Sequence, residues 1–437
     1  MKQMIKSFFY NLKSKGALPI FISTFLVKFA TFFSSFFLIR ILSKSDYGIF
    51  SYFENIYGYL YLIAGLGLSH SIFRFVVIAD GPEKKRSFYY FSIKVGTIIN
   101  LNVVLFACIL FSKIKFAEPY SNYAYIILVL TLMVPFKYLV DCNLYLHRSM
   151  FKPKRYAFWS ILASFAYIFS KIIGAFIFGL KGLVIFAIAV EVFLSIFTYI
   201  NATTKYFRNS SKPVLLTKQE KKESTSYAVQ TMVTNGLWSI LMLNDIFILG
   251  RFFTDPTVIA NYKAAILIPQ TFSLISNAIG LIVGPYFSKL EHDGKIDDVK
   301  KLWKRSVAIS TFLLSVLFVL CFFLAKPLIW LACGEQYLEV APLMKIFLIS
   351  SIINNAFRYT TANALTAMGA VKYSIFSSII GLCIQIGLNI VFIPIFGVYG
   401  VAYSNIISYS IMAIIIIICY VIFIKNKKVK YEERHSI

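Results

Sequence analysis

Acidic residues are scarce in this sequence: 19 Asp and Glu stand against 44 Lys and Arg among 437 residues, and charged residues of both signs amount to 14%. A soluble domain carries roughly a quarter charged residues, so this composition does not clothe a water-facing surface. Histidine is rarer still. The four present, His70, His147, His292 and His435, are scattered, and the chain has no HExxH pair, no GxxxxGK[ST] phosphate loop and no GxSxG elbow. ATP hydrolysis is thereby excluded, and neither a catalytic residue nor a metal ligand set is assigned. The six cysteines, Cys108, Cys142, Cys321, Cys333, Cys383 and Cys419, fall mostly within apolar runs and form no CxxC pair. They read as small hydrophobes rather than as disulfides or metal ligands.

What is present is apolar. Hydrophobic residues make up 59% of the chain and the mean hydropathy is +0.74. A soluble core cannot absorb that surplus. Lipid solvates it from outside, provided each backbone polar group is satisfied within a helix. Apolar runs of about 20 residues, enough to cross a bilayer, fall near 17–39, 48–78, 88–112, 120–146, 156–178, 182–203, 225–250, 257–287, 307–325, 341–367, 373–395 and 399–424. The sequence predicts an all-α integral membrane protein of about twelve transmembrane helices. No small-residue cleavage site follows the basic stretch before the first run, so that run is expected to be a retained helix.

Lysine and arginine sort by side. One set of connections holds Lys2, Lys6, Lys13 and Lys15, Lys84-Lys85-Arg86, the Arg148 to Arg155 cluster, Lys205 to Lys222, Lys289 to Arg305, Lys372 and Lys425 to Arg434, about 29 basic residues in all. The other set holds Arg40, Lys44, Lys113, Lys115, Lys181, Arg251 and Lys326. Positive charge marks the cytoplasmic side, which places both termini there. These loops account for the net charge of +25, and nucleic acid is not an expected partner. No connection exceeds about 20 residues, too short for a separate polymerase, ligase or glycosyltransferase domain.

The chain also repeats itself. Arg86-Ser87 matches Arg305-Ser306, Arg155-Tyr156 matches Lys372-Tyr373, and Gly179-Leu-Lys-Gly-Leu183 matches Gly397-Val-Tyr-Gly-Val401, at offsets of 219, 217 and 218. Each pair sits at the same ordinal helix boundary. Two six-helix lobes, 1–210 and 225–437, joined by a cytoplasmic linker at 211–224, are the expected domains. Parallel repeats place a pseudo-two-fold axis along the membrane normal and a substrate path between the lobes.

Ionisable residues deep in apolar runs cost roughly 2.5–3.5 kcal/mol each and mark pathways. Lys28, Arg74, Lys94, Lys137, Lys171, Lys263, Lys345 and Arg358 are basic; Asp141, Glu191 and Asp245 are acidic, with Glu54 near a run's end. This cationic excess favours an anionic substrate, since phosphate oxygens bind Lys and Arg strongly where water is sparse. Arg74, Lys94 and Lys345 lie close enough to the ends of their runs to snorkel. Lys137 and Asp141, four apart, are spaced to neutralise each other. Lys28 and Arg358 are deepest, and Asn354 and Asn355 precede Arg358 by one turn. Lys28, Arg74, Lys171, Lys263 and Arg358 are assigned to substrate, and Asp245, Glu191 and Asp141 are the carboxylates suited to take a proton or a sodium ion. The amides Gln230, Asn235, Gln270, Asn277, Gln385 and Asn389 suit sugar hydroxyls or interhelical hydrogen bonds alike. Pro135 and Pro269 predict kinks.

Several stretches resemble a known family. They are Arg40-x-Leu42 with Asp46-Tyr47-Gly48-Ile49-Phe50, Gly65-Leu66-Gly67-Leu68 with Arg74, Asp245 to Tyr262, Gly334-x-x-Tyr337, Leu365-x-Ala367-Met368-Gly369, and Ile393-Pro394-x-x-Gly397-x-x-Gly400. In this order, and along nearly the whole chain, they are similar to Wzx-type polysaccharide flippases of the multidrug/oligosaccharidyl-lipid/polysaccharide exporter superfamily. The resemblance implies a MATE-like V of two six-helix bundles around a cationic cavity. It implies an undecaprenyl-pyrophosphate-linked repeat unit of O-antigen or capsule as substrate, carried to the outer leaflet of the bacterial cytoplasmic membrane by ion-coupled alternating access. No cofactor is implied beyond a coupling proton or sodium ion. Membrane lipids are partners, and a polymerase and a chain-length regulator of the same pathway are candidates. The alternatives differ in substrate or class. A multidrug antiporter of the same fold would prefer a carboxylate-lined cavity, a major-facilitator transporter would carry Gly-x-x-x-Asp-Arg-x-Gly where this chain reads Ala79 to Arg86, and a polymerase or ligase would need longer outer loops.

Overall fold

The computed structural model describes residues 18–208 and 212–435. The basic residues Lys2, Lys6, Lys13 and Lys15, and residues 209–211 at the join of the expected first lobe and linker, lie outside them. The described residues form helices and no strand. In chain order the α-helices are α1 (Leu18–Ile41), α2 (Lys44–Leu62), α3 (Leu68–Ile78), α4 (Gly81–Lys113), α5 (Tyr125–Ser149), α6 (Pro153–Phe207), α7 (Lys218–Phe252), α8 (Pro256–Leu267), α9 (Phe272–His292), α10 (Ile296–Phe323), α11 (Ala325–Cys333), α12 (Ala341–Ile352), α13 (Thr360–Ala367), α14 (Val371–Phe396) and α15 (Val398–His435).

Ten of these stretches are long and apolar enough to cross a membrane, and an eleventh follows if α2 and α3, bent by 46° at their junction, make one span. Large apolar side chains face outward along them: Phe106, Phe176 and Phe312 are each about two-thirds exposed or more. Outward apolar faces on this scale are stable in lipid and not in water. The expected twelve spans are reached only when α6 is counted twice. At 55 residues it would extend about 80 Å, well beyond a hydrocarbon core of about 30 Å.

The helix in fact breaks at Phe178 and Gly179, and the break explains a sequence repeat. Gly179 has φ 60° and ψ −143°, and Gly397, between α14 and α15, has φ 61° and ψ −141°. Side chains bearing a Cβ avoid this region. Three residues later, a Cβ on Gly182 would meet the Gly174 carbonyl and one on Gly400 the Phe392 carbonyl. Gly174 and Phe392 are themselves 218 residues apart. The Gly-x-x-Gly pattern thus encodes the same tight reversal and the same backbone approach in each half. Ser87 and Ser306 likewise each donate to the carbonyl four residues earlier, at 2.9 and 2.8 Å.

Other sequence signals have local causes. Ser43 Oγ accepts from the Asp46 N–H at 3.1 Å and starts α2, while Thr217 and Glu220 form a full capping box at the start of α7. Gly48 leaves room for the Pro256 carbonyl. The kink expected at Pro269 is a short 3-10 turn, Pro269–Thr271, that separates α8 from α9. The run predicted as one span at 257–287 is therefore two helices, of which the 12-residue α8 is too short to cross alone.

The chain packs as two compact units that divide between Ala260 and Asn261. In the first, α5 packs on α6, α1 on α6, and α7 on α2 and α3. Asn55 Nδ2 ties α2 to the Leu243 carbonyl of α7 at 3.0 Å. In the second, α14 packs on α15 and α9 on α10. The lobes read from sequence, 1–210 and 225–437, divide the chain one helix earlier.

Candidate functional site

Three helices of the first unit bring ionisable groups together. Glu54 and Tyr61 lie two turns apart on one face of α2, Lys137 and Asp141 lie one turn apart on α5, and α6 contributes Lys171 before its break and Glu191 after it. Lys171 Nζ donates to Glu54 Oε1 at 2.8 Å and lies over the rings of Phe50 and Tyr167, at 4.7 and 5.3 Å from their centroids. Lys137 Nζ stands 3.8 Å from both Asp141 Oδ1 and Glu191 Oε1. The Tyr61 hydroxyl donates to Asp141 Oδ2. Glu191 is 1% exposed, and its Oε1 has no hydrogen-bond partner among the described residues. The Lys137 ammonium is the nearest opposite charge to this buried carboxyl group. Removing one partner from such a buried group costs about 3–5 kcal/mol.

Arg74 stands apart from this cluster. It is exposed at the end of α3, with its guanidinium over the Tyr227 ring at 4.7 Å, in a cavity of about 370 Å³ lined also by Gln219, Lys222, Glu223, Ser226 and Gln230. The junction of α2 and α3 positions it. Gly65, Leu66 and Gly67 all have positive φ, and the Gly65 N–H, freed from the helix ladder, donates to the buried Asn100 Oδ1 at 2.7 Å. Tyr138 fills the space beside Gly65 and Gly96, and its hydroxyl donates to the Ser92 carbonyl at 2.7 Å. The Gly65-Leu66-Gly67 motif is thus a bend, and Asn100 is the group that stabilises it.

The second unit buries one guanidinium beside neutral groups. Between α12 and α13 the chain widens into a π-helical turn, Ile353–Tyr359, a feature frequent at functional sites. Arg358, 6% exposed, donates to Asn354 Oδ1 at 3.1 Å and to Ser378 Oγ at 3.2 Å. The Tyr359 hydroxyl donates to Asn277 Oδ1. Along the seam of α14 and α15, Gln385 Nε2 donates to Asn405 Oδ1 at 2.5 Å. Asn389, Ser404 and Ser408 are buried beside it. The Ser404 and Ser408 hydroxyls have no hydrogen-bond partner among the described residues, so the seam offers oxygen ligands without a charge.

The assigned residues therefore fall into separate groups. Lys171 pairs with Glu54, and Glu191 and Asp141 meet at Lys137. Arg74 lines a polar cavity with Gln230. Arg358 is held as its neighbouring Asn354 predicts, whereas Asn355 instead donates to the Ser351 carbonyl at 2.9 Å. Lys28 is exposed on α1, Asp245 is buried on α7 beside Asn244, and Lys263 is half-buried on α8. The cationic excess expected in the interior is absent from these two groups, which together hold three carboxylates and two ammonium groups. Sequence reasoning missed Tyr61, Asn100, Asn405 and Ser378; a Tyr or Asn inside an apolar run is the signal that was available. No group of three or more His, Cys, Asp or Glu among the described residues is placed to hold a metal ion.

A family model described as "Polysaccharide biosynthesis protein" matches residues 37–342. No curated protein sequence matches the chain. Among solved structures, the chain is similar to the lipid II flippase MurJ in an inward-closed conformation, with a TM-score of 0.74 and 15% identity over 93% of this chain and 89% of that one. It is similar to an inward-facing multidrug resistance MATE transporter of the MOP superfamily, with a TM-score of 0.73 and 15% identity over 95% and 98%. A MOP superfamily transporter from Pyrococcus furiosus, described by a reversed polarity of its binding pocket, matches with a TM-score of 0.65 and 14% identity over 95% and 96%. At these identities the likeness shows the fold.

Proposed function

The chain belongs to the polysaccharide biosynthesis protein family, and from that premise we propose that it is a transporter, specifically a flippase for an undecaprenyl-pyrophosphate-linked oligosaccharide. It works in the bacterial cytoplasmic membrane, with both termini in the cytoplasm, and moves the repeat unit outward for surface polysaccharide assembly by a polymerase and its chain-length regulator. The observation that carries the substrate class is the Arg74 cavity. A guanidinium binds phosphate oxygens in bidentate fashion, and Gln219, Ser226, Tyr227 and Gln230 supply donors, acceptors and a ring face for sugar. Lys28, Lys263 and Arg358 are further phosphate ligands along the path. The basic residues of the connections support a cytoplasmic opening for the cavity, on the side where such a lipid is made.

Coupling uses a proton or a sodium ion. The Glu191, Lys137 and Asp141 group suits a proton, because neutralising one carboxylate removes the surplus negative charge and leaves Lys137 paired with the other alone. The uncharged α14–α15 seam and Asp245 suit sodium, which takes oxygen ligands. A flux assay in proteoliposomes under a pH gradient or a sodium gradient, alone, separates the two.

The decisive experiment extracts lipid-linked oligosaccharides from a deletion strain and assigns their leaflet by labelling sealed vesicles. Complete repeat units retained on the cytoplasmic face are expected. Normal outward exposure together with altered drug tolerance would replace this reading by a multidrug exporter, which the carboxylate excess of the first unit's network favours.

A further inference from the structure

The second unit holds a cavity of about 310 Å³ between the start of α10 and the end of α15, lined by Lys300, Trp303, Lys304, Tyr420, Ile424, Lys425 and Lys428 among others. Its floor is apolar and fixed. Trp303 and Tyr420 stack with ring centroids 4.5 Å apart and planes inclined by 25°, and Trp303 Nε1 donates to Thr361 Oγ1 at 3.1 Å. Its rim is basic. Of the four lysines, Lys300 and Lys428 share Asp297, at 3.4 and 3.6 Å, so the rim carries three net positive charges.

The corresponding place in the first unit is closed by the chain itself. Under the repeat offset of 218, Lys425 corresponds to Phe207. Phe207 packs on Tyr89 and Tyr90, with centroids 5.5 and 6.1 Å away. The segment that follows covers the same face: Ser87 Oγ donates to the Val214 carbonyl at 2.6 Å, and Leu216 is buried. In the second unit Lys425 stands where Phe207 does in the first.

We propose that this cavity binds the phosphodiester headgroup of an anionic phospholipid such as phosphatidylglycerol, with the lysines on the phosphate and the Trp303–Tyr420 floor against the glycerol and upper acyl chain. A free phosphate uses the rim alone. The apolar floor, at the end of two membrane helices where aromatic rings collect at the interface, selects the lipid. Basic pockets between helices at this level bind acidic headgroups, and each lysine near the surface adds to the attraction.

The test uses the purified full chain in detergent and native mass spectrometry with added phosphatidylglycerol, phosphatidylcholine or inorganic phosphate. Phosphatidylglycerol is expected to be retained in preference to phosphatidylcholine. K300Q/K304Q/K425Q/K428Q should weaken that retention on the order of tenfold, while the fourfold Lys→Arg variant retains it and controls for folding. Trp303→Leu, which removes the floor and keeps the charge, should weaken lipid retention with inorganic phosphate unaffected. Equal retention of both lipids, or displacement of phosphatidylglycerol by millimolar inorganic phosphate, would overturn the proposal. The readout is binding, so it stands or falls independently of the transported substrate.

Discussion

The two units share a backbone device and differ in how they keep polar groups within lipid. Both reverse at a glycine in the same conformation, Gly179 and Gly397, and both bring helices together at a second glycine three residues on. The first unit sets a buried charge against a partly exposed partner, Lys171 with Glu54 and Glu191 with Lys137, which also faces Asp141. The second buries Arg358 among Asn354 and Ser378, beside neutral amides and hydroxyls. The repeat preserves what the backbone requires, and side-chain chemistry is free to diverge. A protonation event is expected to have large consequences in the first unit, where two carboxylates share Lys137, and small ones in the second.

Breaking this contrast should have its largest effect at Lys137. Lys137→Ala leaves the buried Glu191 and the half-buried Asp141 without their shared cation, and a lower unfolding midpoint in detergent is expected, together with loss of transport. Combining it with Glu191→Gln should recover much of that stability but not coupled transport. Recovery of transport in the double variant would sink the coupling role.

Gly179→Ala and Gly397→Ala come next. Each forces a Cβ into a backbone region that costs about 1–3 kcal/mol, and because the two turns are the same, the two losses should agree. A loss at one site and not at the other would show that only that half depends on its reversal.

Arg358→Ala is expected to impair export while protein abundance stays near normal, since its neutral partners re-pair more readily than a stranded charge does. Lys28→Ala, on an exposed position, should impair export with no change in unfolding. Unchanged export in both variants would remove the cationic path from the mechanism. The smallest effect belongs to Lys345, whose ammonium lies over the Phe322 ring at 4.6 Å; Lys345→Met should cost less than about 1 kcal/mol and leave transport intact.

These predictions also mark how far the sequence reaches. The i,i+4 spacing showed that Lys137 and Asp141 share a face, but Glu191, 50 residues further along, joins them only because α6 turns back at Gly179. Glu54 was visible near the end of a run, yet its pairing with Lys171, 117 residues away, depends on how α2 and α6 are rotated about their own axes. Hydropathy contains no information about that rotation. The bend at Gly65 to Gly67 was legible as a glycine motif, whereas Asn100, which satisfies its freed N–H, was one polar residue among several in an apolar run.

By itself the sequence determined the membrane class, the approximate position of the spans, the half-chain repeat and the glycines on which its reversals turn. These follow from local quantities: the apolar content of a 20-residue window decides whether lipid accepts it, and a positive φ selects glycine wherever it occurs. The tertiary structure alone decided which charges neutralise one another, which helix stays with which unit, and that lysines rim an open cavity at α10 and α15 while Phe207 is buried in the first unit. Those outcomes depend on interhelical distances of a few ångströms, over which electrostatic and packing energies change steeply, and residues distant in sequence meet at such distances only in the folded chain.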